Sequence, residues 1–180
     1  MTRLILLIGV PGSGKSFWVE QRCQTHDGQI VISTDAIRAE LFGDEAVQGA
    51  WLLVWQTIQQ RFELAVEQIN QGQALTAIYD ATNARRRNRR QAIALAHSTG
   101  FSHITGVWFD VPLWLCLERN QRRSRRVPDE VLQRMQRQLM GAPPDQTEGM
   151  DCLIRLTDSA PAQRGDRTTK SAQELESSIN

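Results

Sequence analysis

The sequence predicts a three-layer α/β/α domain built on a parallel sheet, and three observations carry that expectation. Strand-length apolar runs alternate with helical-period segments as far as residue 156. The first run, Leu4-Ile-Leu-Leu-Ile8, is apolar without interruption, as strands covered on both faces are. A glycine-rich turn then leads directly into a helix. Strands alternating with helices imply a parallel sheet sandwiched between helical layers.

The first strand covers residues 3–9, with a loop at 9–14 and a helix beginning near Lys15. Residues 29–33 read as a second strand. Thr34 is expected to cap the next helix, 35–42, and Gly43 to stop it. A long amphipathic helix follows over 46–70. Its Val47, Trp51, Val54, Trp55, Ile58, Phe62, Ala65, Val66 and Ile69 recur at steps of three and four, and Gly72 ends it. Residues 74–81 form a third strand. Asn83 is expected to cap a helix reaching Ser98, with Gly100 at its C-cap. A fourth strand spans 103–110 and breaks at Val111-Pro112. Residues 113–120 are helical, Pro128 opens a helix to Met140, and 151–156 supply a fifth strand. The polar stretch from Ser159 to Asn180 lacks strong periodicity, so the domain is assigned to 1–158 and a disordered tail to 159–180.

The 180 residues suit one domain, and 41% apolar with 23% charged residues is a globular balance. A net charge of +1 argues against wholesale electrostatic coating of nucleic acid, though not against a local basic patch. The apolar run at 4–10 is far short of the roughly 18 residues a bilayer span needs, and no secretory leader is recognised. Cys23, Cys116 and Cys152 are odd in number and lack metal-type spacing, which points to reduced thiols in a cytoplasmic protein.

The strongest signal is Gly9-Val-Pro-Gly-Ser-Gly-Lys-Ser16, which fits G-x-x-x-x-G-K-[ST] in full. Glycines let backbone approach a phosphate, successive N–H groups form a nest, and the helix N-terminus adds positive charge. Gly9, Pro11, Gly12, Ser13, Gly14, Lys15 and Ser16 are thus expected to bind ATP. Lys15 would reach the β- and γ-phosphates, and the Ser16 hydroxyl would ligate Mg²⁺. A GTPase switch is disfavoured, since no N-K-x-D occurs and the third strand ends Tyr79-Asp-Ala-Thr-Asn83 rather than in D-x-x-G.

Acceptor-side groups favour a phosphotransferase. Asp35 follows the second strand and Arg38 lies three residues on, sharing its helix face. Strand C-termini gather at the edge that carries the phosphate loop. Asp35 is therefore positioned to take a proton from an acceptor hydroxyl, and Arg38 to grip an anionic acceptor group. Asp80 ends an apolar strand, the usual place for a carboxylate near Mg²⁺.

Two arginine clusters stand out: Arg85, Arg86, Arg87, Arg89 and Arg90, then Arg119, Arg122, Arg123, Arg125 and Arg126. The second lies between helices and reads as a lid that closes over nucleotide. The first either lines a groove for a polyanion or is simply exposed. Trp51 and Trp55 sit on the apolar stripe and are read as core rather than base-stacking platforms. Trp18, Trp108 and Trp114 are read as packing residues. His26, His97 and His103 show no ligand spacing.

Four segments in order resemble the P-loop 5′-hydroxyl polynucleotide kinases: residues 8–16, Ser33-Thr-Asp35-Ala-Ile-Arg38, Tyr79-Asp80-Ala-Thr-Asn83, and the run from Glu118 to Pro128. These lie within the wider AAA_33 and zeta-toxin-like group of P-loop kinases. The resemblance implies an adenylate-kinase-like P-loop NTPase fold of order 2-3-1-4-5, and transfer of the ATP γ-phosphate to the 5′-OH of DNA or RNA with Mg²⁺. It implies Asp35 as general base and Arg38, with Asn83, on the acceptor. It also implies Arg123 as the lid arginine on the ATP phosphates, flanked by Arg119 and Arg126. Arg122 or Arg126 could take that role, because the lid spacing shifts by a residue. The metal would fall to Ser16 and Asp80. The expected partners are ATP and a single-stranded or end-exposed nucleic acid, with no membrane. No D-x-D-x-T phosphatase motif occurs. The same loop and fold resemble gluconate, shikimate, seryl-tRNA and zeta-toxin-like sugar-nucleotide kinases, so a small-metabolite kinase is the rival enzyme and a non-catalytic ATP-binding module the rival of another class.

Overall fold

The computed structural model describes residues 1–44, 49–123 and 125–157. Its sheet has five parallel strands in the expected order: β2 (Gln29–Ser33), β3 (Thr76–Asp80), β1 (Arg3–Ile8), β4 (His103–Asp110), β5 (Cys152–Thr157). The helices between them are α1 (Lys15–Thr25), α2 (Thr34–Phe42), α3 (Trp51–Asn70), α4 (Arg86–Thr99), α5 (Leu113–Gln121) and α6 (Asp129–Gly141).

β1 is central because it is apolar on both faces. Leu4 to Ile8 are at most 2% exposed, paired with β3 on one side and β4 on the other. The chain leaves β1 for the far edge at β2, then works back across the sheet to β4 and β5. Its first crossover thus runs opposite to the later ones, and right-handed connections place α1 and α4 on opposite faces. The strand order turns around β1, and there the C-terminal ends of the strands open a crevice. Aromatic edges fasten α3 to the sheet side: Phe62 meets Tyr79 and Phe101 edge-on, at 5.3 and 5.5 Å between ring centres.

Several local readings are corrected. The cap of α2 is Ser33, whose hydroxyl accepts from the Ala36 N–H at 3.4 Å, and Thr34 is already helical. Thr34 Oγ1 instead reaches the Asp80 carbonyl at 3.5 Å, across to β3. Asn83 does not cap α4, which starts after Arg85. Asn83 is buried in the left-handed region (φ 49°), and its Nδ2 donates to the Leu7 carbonyl at 2.8 Å, tying the β3–α4 loop to β1. β3 begins at Thr76, since Leu75 remains 64% exposed and hydrogen-bonds through its backbone to Gly28. A 3-10 turn, Gln146–Glu148, was not foreseen. α3 starts at Trp51; the expected first turn at 46 and 47 lies outside the described residues, as do residue 158 and the proposed tail. Trp51 and Trp114 are not core, with 47% and 62% of their surface exposed. Among the described residues no helix is long and apolar enough to cross a membrane.

The 3-10 turn exists to serve one arginine of the first cluster. Arg89 is fully buried and all five of its N–H groups donate. Nε and Nη2 take the Glu148 carboxylate at 2.8 and 2.7 Å, and the carbonyls of Asn83, Ala84 and Ala142 accept the rest. Three segments, one of them the Asn83–Ala84 loop that borders the cleft, are thereby held to one side chain. Removing one partner leaves a buried charge uncompensated, so Glu148→Gln is expected to lower stability by about 3–5 kcal/mol in denaturant unfolding. An apolar double replacement, Arg89→Met with Glu148→Leu, should recover much of that loss.

Candidate active site

The loop after β1 is shaped by two glycines. Gly12 (φ 81°) and Gly14 (φ 97°) occupy conformations that L side chains rarely adopt. Gly12 also presses against α5, where a Cβ would lie 2.4 Å from the Cys116 carbonyl oxygen. Gly14 caps α1 without a side chain, and no acidic residue sits in the first turn. The leading N–H groups of α1 are therefore left for an anion.

Lys15 is buried and turned under the loop, donating to the carbonyls of Gly9 at 2.8 Å and Val10 at 3.1 Å. Burial pushes its pKa down; Asp80 and Asp35 oppose that shift, and the Arg123 charge adds to it. Asp80, at the end of β3, has its pKa raised by burial, which Lys15 and Arg123 oppose and Asp35 reinforces. These four groups share one electrostatic neighbourhood although they come from four different segments.

Asp35 opens α2 on the far wall. Its Oδ1 accepts from Arg38 Nη1 at 3.1 Å, and Arg125 Nη1 lies 3.6 Å from Oδ2. Arg38 is largely buried, its Nε without a hydrogen-bond partner, and its guanidinium sits 6.0 Å from the Trp51 ring centre.

The second arginine cluster forms a strap between α5 and α6. Asn120 clasps its base: Nδ2 donates to the Val127 carbonyl at 2.7 Å, and Oδ1 accepts the Val127 N–H at 3.1 Å. Pro128 then leads into α6. Arg119, Arg123, Arg125 and Arg126 face the cleft, whereas Arg122 is 78% exposed and bonded to Glu118 at 2.6 Å. Residue 124 lies outside the described residues.

Lys15, Asp35, Arg38, Asp80 and the four inward-facing strap arginines border one cleft of about 1080 Å³. Small-ligand pockets run to about 300–1,000 Å³, so the space suits two ligands side by side. Of the expected site residues, Pro11, Gly12, Gly14, Lys15 and Ser16 line it on one side. Asp35, Arg38, Asp80 and Asn83 also line it. Gly9 and Ser13 belong to the loop but do not line the cleft, Ser13 being nearly fully buried. Asn83 borders the cleft but spends its amide donor on Leu7. Sequence reasoning missed Arg125 as a neighbour of Asp35, and Trp51 and Trp55 as cleft wall. The apolar period hid the tryptophans; the cue was their position at the start of α3, where the core face is not yet covered. Of the first cluster, Arg85 borders the cleft, Arg89 is buried, and Arg86, Arg87 and Arg90 line a separate shallow depression on α4.

Residues 4–142 match the AAA domain family AAA_33. No curated protein matches the chain. Among solved structures, a chain of the Pnkp1/Rnl/Hen1 RNA repair complex aligns with TM-score 0.64 and 21% identity, covering 93% of this chain and 53% of that one. The present chain thus spans about half the length of that relative. A sugar kinase from Janibacter sp. HTCC2649 aligns with TM-score 0.59 and 20% identity, over 87% of this chain and 86% of that one. The APS kinase CysC of Mycobacterium tuberculosis, solved with AMPPNP and APS, aligns with TM-score 0.54 and 17% identity, over 98% and 95%. The fold is that of the P-loop kinases.

Two substitutions probe the geometry. Gly12→Ala meets both a positive φ and the Cys116 carbonyl, and should cut ATP affinity at least tenfold by calorimetry while lowering Tm. Asn120→Ala removes both hydrogen bonds of the clasp and should cost about 1–3 kcal/mol, with faster amide exchange at residues 121–123 and 125–127.

Proposed function

The chain belongs to the AAA domain family AAA_33, and from that premise we propose that it is an ATP-dependent phosphotransferase whose acceptor is the 5′-hydroxyl end of a polynucleotide. One observation carries the reading: the Asp35 carboxylate borders the same cleft as the phosphate loop and the buried Lys15 ammonium. A carboxylate on the far side of the fold would have left only a nucleotide holder.

In this mechanism the loop amides hold the β- and γ-phosphates, and Lys15 joins them by exchanging its bonds to the Gly9 and Val10 carbonyls for phosphate oxygens. The acceptor oxygen attacks the γ-phosphorus in line, the bond to the bridging oxygen breaks, and ADP leaves. The hydroxyl proton passes to Asp35. Arg38 and Arg125, on the two carboxylate oxygens, hold Asp35 in place. Arg38 lines the cleft beside Asp35, where its guanidinium can meet an anionic group of the acceptor. Arg123 adds positive charge beside Lys15, where the transferring group carries its negative charge.

Ser16 and Asp80 are the residues that would hold Mg²⁺, which when bound neutralises phosphate oxygens. Among the described residues no group of three or more His, Cys, Asp or Glu could hold a metal. One carboxylate and one hydroxyl beside substrate phosphates are nevertheless a fitting donor set, because Mg²⁺ keeps waters and phosphates as most of its ligands. A cytoplasmic setting, where ATP is at hand, accompanies this reading.

A polymer acceptor is supported by the arginine-rich rim and by the likeness to a chain of an RNA repair complex. The small-metabolite reading is supported by the likeness to the sugar kinase, at TM-score 0.59.

Labelled ATP offered with 5′-OH DNA, 5′-OH RNA, sugars and nucleosides separates the readings. Labelled polynucleotide ends are expected; label only on a sugar or nucleoside would favour the metabolite kinase, and tight ATP binding without transfer a binding module. Asp35→Ala should slow transfer by ~10²–10⁴-fold with ATP affinity nearly intact. A rate above about a tenth of wild type would remove the general-base assignment.

A further inference from the structure

Beyond Asp35 the acceptor side of the cleft does not end in polar residues. It continues as a row of flat faces. Arg38 bridges from the Asp35 carboxylate, 3.1 Å away, to the Trp51 ring, 6.0 Å away. Trp55 follows one helical turn later, its ring centre 6.0 Å from that of Trp51 and tilted by 32°. Both indoles border the cleft, and Trp51 keeps 47% of its surface exposed at the first residue of α3.

An indole left this open loses the burial that normally retains tryptophan in a fold. Its position supplies another use. A hydroxyl held at Asp35 places the rest of its molecule along this wall, and Trp51 lies within a nucleoside's reach of the carboxylate. A sugar can lay a C–H face on an indole, but it then needs its hydroxyls hydrogen-bonded at the ring edge, which the indole faces do not supply. A planar heterocycle would be recognised by stacking, which accepts any base because every base has a π-face. The Arg38 guanidinium against Trp51 leaves an incoming ring a surface that is both aromatic and cationic.

We propose that Trp51 is the stacking platform for the base of the acceptor's terminal nucleoside. The proposal rests on the kinase reading for the location of the hydroxyl, and binding without turnover tests it separately.

Calorimetry would measure a short 5′-OH oligonucleotide, the same oligonucleotide with an abasic first residue, and adenosine, each with a non-hydrolysable ATP analogue present. Wild type, Trp51→Ala and Trp51→Phe would be compared. Removing the base or the indole should each weaken oligonucleotide binding by about 5- to 100-fold. The two losses should not multiply when combined, because they delete the same contact. Trp51→Phe should restore most of the affinity, and the affinity for the ATP analogue should be unchanged in both variants. Adenosine binding should weaken in Trp51→Ala as well.

Unchanged oligonucleotide affinity in Trp51→Ala would overturn the platform. So would multiplicative losses, or wild-type protein that binds neither oligonucleotide nor adenosine. If the binding pattern holds but no nucleic acid is phosphorylated, the polynucleotide kinase reading falls and the platform stands. A melting temperature measured for each variant separates lost contact from lost fold.

Discussion

The burial of the Lys15 ammonium beneath the loop that precedes it is the constraint on which the site depends. A loop that turns its N–H groups outward must turn carbonyls inward, and the carbonyls of Gly9 and Val10 find their donor in Lys15. That arrangement removes a cation from water, and its pKa falls accordingly. Asp80 and Asp35 offset part of the cost, while Arg123 adds positive charge to the same space. With the other strap arginines at the rim, the cleft carries an excess of cationic groups over carboxylates. Such a balance suits a ligand bearing several negative charges, as a nucleoside triphosphate does.

Around that cation the chain uses polar side chains as fasteners for backbone. Asn83 bonds the Leu7 carbonyl at the end of β1, Asn120 pairs with both backbone groups of Val127, and Arg89 collects three carbonyls and a carboxylate. Each acts where loops replace strands or helices and backbone groups lose their regular partners. A satisfied polar contact there holds a loop in one arrangement, which apolar packing alone does with less specificity. The arginine-rich composition thus covers three different tasks: Arg89 is structural, the strap arginines face the cleft, and Arg86, Arg87 and Arg90 lie on the outer surface of α4.

Much of this architecture was legible in advance. β2 and β4 begin and end where the apolar pattern places them, and α1 begins at Lys15 as the glycine-rich motif requires. The sheet order followed from the resemblance, carried by motifs at the ends of β1, β2 and β3. The misreadings share a cause. Ser33 and Thr34 are both competent caps, and only the helix phase chooses between them. Asn83 has the chemistry of a cap but the φ of a turn, and the buried Leu7 carbonyl decides its use. Trp51 follows the apolar period of α3, yet this first residue of the helix lies past the edge of the core.

The sequence by itself determined what depends on neighbours along the chain. The strands, the helices, the phosphate loop and the presence of a carboxylate after β2 follow from periodicity, glycine placement and motif spacing. Tertiary structure alone decided where each arginine and tryptophan goes. Arg89 meets Glu148 59 residues away, Arg125 reaches across the cleft to Asp35, and Trp51 stands beside Arg38 rather than inside the core. A long side chain can serve solvent, a carboxylate or a ring face with similar local propensity. The choice among them is made by whichever partner the folded sheet brings within reach.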